Sequence, residues 1–161
     1  MFNLIKKEGW LPATVDELVP MSFIGQAAVN FFQTKLKVMT QLKMTDEQRK
    51  VTLRDAQEAA EMLLDIEARI GELLPTPLEA RAFGQTKDGS PMKAGRRILP
   101  EGVDHKKSYE ARTIKNHPGI VDRIKAQARE REDLATKMAV LNAVSYERKK
   151  ARQTLQGKAG G

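Results

Sequence analysis

The chain has 161 residues, is 40% hydrophobic but only 5% aromatic, contains no cysteine and carries a formal charge of +7. Those figures exclude a disulfide framework, a thiolate metal site and a cysteine nucleophile, and any core must rest on Leu, Ile, Val, Met and Ala, as packed helices allow. No run reaches the roughly 18 apolar residues of a membrane span, so a soluble, cytoplasmic protein without a membrane partner is expected. The charge is divided: residues 1–80 hold 9 Lys/Arg against 12 Asp/Glu, whereas residues 81–161 hold 19 against 9. An excess confined to one half points to a polyanion partner or to a solvated basic surface.

Residues 1–19 are mixed, with Gly9, Trp10 and Pro12, and TVDEL at 14–18 predicts a single helical turn opened by Thr14. Pro20 fits the first turn of a new helix running to about Lys43. Ile24, Ala28, Phe31, Phe32, Val38, Met39 and Leu42 recur at helical spacing, widened by Phe23 and Leu36, and predict a broad buried face. Thr45 and Gln48 form a capping-box pattern, and the helix they open is stopped by Pro75 and Pro77. Its apolar positions Ala56, Ala59, Leu63, Ile66, Ile70 and Leu73 follow a heptad seam. The seam either packs on the preceding helix in an antiparallel hairpin or joins two copies as a dimer, and both hold if hairpins pair.

Residues 75–103 are rich in Pro and Gly, and Lys87, Lys93, Arg96 and Arg97 make them basic. They read as a flexible linker or an arm that follows a phosphate backbone, dividing a 1–74 hairpin region from a basic 104–161 unit. Asp104 is a good N-cap for a helix over 105–116, Pro118 starts a second helix to about Glu132, and Thr136 caps a third. Ile120, Val121, Ile124 and Ala128 point inward on the second, and Ala139, Val140, Leu141, Ala143 and Val144 form the third helix's apolar run. The end, ERKKARQTLQGKAGG, continues that helix in a basic form and then frays into glycine. The fold class expected is therefore all-α: a long N-terminal helical hairpin, a linker and a small three-helix C-terminal unit.

Catalytic signatures are absent from the sequence. His105 and His117 lack metal-site spacing and read as capping or surface residues, and no glycine-rich phosphate loop occurs. Glu58, Glu61, Asp65, Glu67 and Glu72 read as a solvated helix face. No catalytic residue, metal or cofactor is assigned, and no enzyme activity is expected. The basic helix is the stronger candidate: Lys106, Lys107, Ser108, Arg112 and Lys115 present donors suited to phosphates or guanine edges, with Arg96 and Arg97 adding from the arm, while Tyr109 and Ile114 face inward. On this reading Arg112 and Lys115 supply more affinity than residues 148–161.

Two runs carry a resemblance. IEARIGELLP at 66–75 and LPEGVDHKKSYEARTIKNHPGIVDRI at 99–124 are similar to a family of uncharacterised phage, plasmid and integrative-element proteins, replication- or partition-related; the likeness covers roughly residues 56–144. Within it, KKSYEARTIKNHPGIVDRIKAQAREREDLATKMAVL resembles the helix-turn-helix region of the ParB partition family. That likeness implies DNA binding, with Lys106, Lys107, Ser108, Arg112 and Lys115 on a recognition helix and Thr136 opening a supporting one. Two departures limit it. RRILPEGV, broken by Pro100 and Gly102, stands where a scaffolding helix belongs, and there is no arginine-rich nucleotide motif. Duplex DNA is the expected partner, as a possible homodimer. RNA stays open, and so does a helical protein-interaction or scaffold module without nucleic-acid contact.

Overall fold

The computed structural model describes residues 11–75 and 99–159, and all regular structure among them is helical. The predicted Pro/Gly-rich arm, including Lys87, Lys93, Arg96 and Arg97, lies mostly outside the described residues, at 76–98. Helix α1 spans Val15–Gln41. The two segments expected on either side of Pro20 are one helix: Pro20 lies inside it, in the second turn, where it removes a single backbone bond, the one its N–H would make to the Asp16 carbonyl. Lys43, with φ of 52°, turns the chain back, and Thr45 then caps α2, Asp46–Leu73. The capping box is present: Gln48 N–H donates to Thr45 Oγ1 at 3.4 Å, and Thr45 N–H donates to Gln48 Oε1 at 3.0 Å. The hairpin of α1 and α2 stands as expected.

Helix α3 spans His105–Asn116, its start capped by Asp104, whose Oδ1 accepts from the Lys107 amide at 2.7 Å. Pro118 opens α4, Pro118–Glu130. Thr136 Oγ1 accepts from the Ala139 amide at 3.2 Å and opens α5, Lys137–Ala159. The basic continuation expected of this helix is present, and it stays helical as far as Ala159, into the glycine-containing end where fraying was expected. No described helix is long and apolar enough to cross a membrane.

Helix α2 is the centre of the molecule, and it contributes to three apolar clusters. In the first, Ile66, Ile70 and the C-cap Leu74 meet Leu18 and Val19 of α1 and Val103 and Ala111 beyond the arm. In the second, Leu64 meets Ile114, Val121, Ala128, Ala135, Val140 and Val144. In the third, Ala56, Ala59, Ala60 and Leu63 meet Val29 and Leu134. Helices on the two sides of residues 76–98 thus share a core. The heptad positions Ala56, Ala59, Leu63, Ile66 and Ile70 are buried, and Leu73 packs against the first cluster. This corrects the dimer-seam reading: the seam is spent on α1 and α3 within one chain and offers nothing to a second copy.

Ion pairs extend the same docking. Arg129 donates twice to Glu61, at 2.6 and 3.1 Å, and Lys125 donates to Asp65 at 2.6 Å. The hydrogen bond to Glu61 outweighs desolvation and raises the pKa of Arg129 above its ordinary value. The carboxylates of α2 are not the freely solvated face the sequence suggested. Part of the charge division between the halves of the chain is internal complementarity.

Candidate nucleic-acid interface

Helix α3 has an inner face made of Ser108, Ala111 and Ile114, all buried. Lys107 belongs to that face too. Its Nζ donates to Ser22 Oγ of α1 at 2.7 Å, stands 3.7 Å from Glu67 Oε1 of α2 and lies 4.6 Å above the Phe23 ring. Ser108 is 3% exposed. Arg112 reaches along the flank and donates through Nη2 to the Pro75 carbonyl. Lys107 and Arg112 fasten α3 to the hairpin and Ser108 is buried, which corrects their assignment to a nucleic-acid face. The helix that supports α3 is α2, from the other side of the arm.

Of the predicted basic set, Lys106 and Lys115 are exposed, on different sides of α3. Lys115 shares a cavity of about 340 Å³ with Asp122 and with the ion pairs Arg69–Glu72 and Lys125–Asp65, a charge-balanced setting that gives phosphate no net attraction. Lys106 looks toward α5. There a cleft of about 440 Å³ is lined by Lys106, Tyr109 and Thr113 on α3 and by Arg148, Lys149 and Arg152 on α5. Tyr109 was expected inside but is 57% exposed, and its hydroxyl accepts from Arg148 Nη1 at 3.0 Å. That bond holds the guanidinium at the rim of the cleft. Glu110, also lining the cleft, is occupied by Lys137 at 2.7 Å. Among the described residues, none of Lys106, Lys149, Lys150 and Arg152 is ion-paired with a carboxylate.

The cleft is therefore a concentration of uncompensated cations with one oriented guanidinium. Such a surface can donate to phosphate oxygens. Arg148, Lys149 and Arg152 were missed as site residues because ERKKARQ read only as the basic end of the last helix, with no local sign that it faces α3. The available signal was the run Leu141, Val144, Ser145, Arg148, Lys149, Arg152, which keeps one helical face from the apolar half of α5 into its basic half. His105 is exposed, and His117 Nδ1 donates to the Thr113 carbonyl at 2.8 Å, closing the end of α3. Among the described residues no three His, Asp or Glu side chains gather as a metal site.

No protein-family model, curated protein or solved structure matches this chain.

Lys107 gives the inner face a sharp test. Glu67 is buried, and its Oε2 has no hydrogen-bond partner among the described residues, so Lys107 is the cation that compensates it. Lys107→Ala should destabilise the fold by about 3 kcal/mol by leaving a buried carboxylate uncompensated. Adding Glu67→Gln should recover part of that loss. Urea denaturation of the single and double variants checks both. Equal stability of wild type and Lys107→Ala would deny the pair a structural role.

Proposed function

We propose that this protein is a non-enzymatic, DNA-binding accessory protein of a phage or other mobile element, acting in replication, partition or transcription regulation. It seats the sugar-phosphate backbone of duplex DNA on the α3–α5 cleft. The observation that carries this reading is the convergence of Lys106, Arg148, Lys149 and Arg152 on one cleft without carboxylate partners. The assignment to a mobile element rests on the resemblance of residues 56–144 alone.

Phosphate contacts release counterions, so binding must weaken with salt. An anisotropy titration of labelled duplex DNA should give a log–log salt slope of about −3 to −4 if each of the four cations meets one phosphate. Single-stranded RNA in the same titration separates the nucleic acids. Failure to bind duplex at low salt would remove the proposal. The competing reading, a protein-interaction module, draws on a different surface: the uncovered apolar side of α1.

A further inference from the structure

The broad apolar face predicted for α1 is only half used. Leu18, Val19, Val29 and Met39 are buried, with Phe32 and Leu36 partly so, because α2 is the main neighbour along its length. On the other side Ile24, Phe31, Val38 and Leu42 remain 68, 62, 45 and 69% exposed. Their spacing is seven, seven and four. A seven-residue repeat drifts about 20° per heptad on a straight helix, and the final step of four returns the row to its starting angle. The result is a straight apolar row roughly 27 Å long at 1.5 Å per residue. Contiguous apolar rows of this kind on a charged chain mark an interaction surface.

The charges at the ends of the row select the occupant. Glu17 lies seven residues before Ile24 on the same line, and Lys35 and Lys43 lie toward the other end. We propose that α1 pairs with the α1 of a second copy, antiparallel, about a two-fold axis at Phe31. In that register Ile24 faces Val38, Phe31 meets its twin and Glu17 comes within reach of Lys43. Lys35 lies across from Ala27 and Ala28, whose small side chains leave room for its methylene stem. A parallel pair would oppose Glu17 to Glu17 and Lys35 to Lys35, so charge as well as shape favours the antiparallel form. Two-fold self-complementarity is what an isologous interface requires. This inference is independent of the nucleic-acid reading.

Sedimentation equilibrium of the full chain tests it. Wild type should form a concentration-dependent dimer. Phe31→Glu, which sets two carboxylates against each other at the axis, should raise the dissociation constant at least about a hundredfold while far-ultraviolet circular dichroism and the thermal midpoint stay close to wild type. Glu17→Lys should weaken the dimer, and Glu17→Lys with Lys43→Glu should restore it. A wild type that stays monomeric overturns the proposal; if Phe31→Glu then also lowers the thermal midpoint, the row is covered within its own chain. A dimer that survives Phe31→Glu, or one indifferent to the charge swap, overturns it too.

Discussion

Gly71→Ala should destabilise the protein by about 3 kcal/mol, lowering the thermal midpoint by roughly 10 °C. A Cβ at this position would stand 2.3 Å from the Ala111 carbonyl oxygen, 2.6 Å from its carbon and 3.0 Å from the Arg112 nitrogen. All three are backbone atoms of α3, which cannot swing aside as a side chain can. The two helices would have to separate by roughly an ångström to restore normal contact. That movement opens the clusters around Ile70, Ala111 and Ile114 at once. Intrinsic helix propensity pulls the other way, since alanine is favoured over glycine by about 1 kcal/mol. The clash exceeds that gain, so the sign is set by the tertiary contact. Gly157→Ala in α5 is the matched control: nothing lies within 4 Å of its added Cβ, and it should leave stability unchanged or slightly raised. If guanidinium denaturation ranks the two variants equally, α2 and α3 are not in backbone contact.

Gly71 also marks where sequence reasoning runs out. The periodicity of α2 identified Ile66 and Ile70 as core positions, and both are buried. It gave no sign that a second helix, from beyond the arm, touches the backbone at the next residue, Gly71. Local chemistry was legible wherever it was local: the Thr45–Gln48 box, the Asp104 cap and the Thr136 cap each depend on residues within one turn. Burial of polar groups was not, because their partners are remote. Lys107 is paid for by Ser22 and Glu67, and Glu61 and Asp65 by Arg129 and Lys125, contacts spanning tens of residues. Hydropathy counts such residues as surface. The same limit explains Phe23, Ile24 and Phe31, which are exposed on α1. An apolar stripe reports that a face can be buried, and a neighbour must exist to bury it.

The remaining large effect concerns which cations meet nucleic acid. Arg148→Ala, Lys149→Ala and Arg152→Ala together should weaken duplex binding on the order of a hundredfold or more at low salt and lower the salt slope by about 3. Alanine keeps α5 helical, and all three side chains are exposed, so folding stability should stay within about 0.5 kcal/mol of wild type. Arg112→Ala with Lys115→Ala should behave in the opposite way. Arg112 holds the Pro75 carbonyl, and its loss should cost stability. Lys115 lines a cavity in which Glu72 and Asp65 are paired with Arg69 and Lys125 and Asp122 offsets its own charge, so an approaching phosphate meets no net positive charge. This pair should therefore lower the denaturation midpoint but barely move the salt slope. Read from the sequence alone, the ranking was the reverse, because basic residues on α3 were counted without knowing which way the helix faces. Salt slope separates the cases more cleanly than affinity, since partial unfolding lowers the fraction of competent protein without changing how many ions each bound complex releases. A slope that falls with the α3 pair and not with the α5 triple would place the phosphate contacts on α3 and remove the cleft as the binding face.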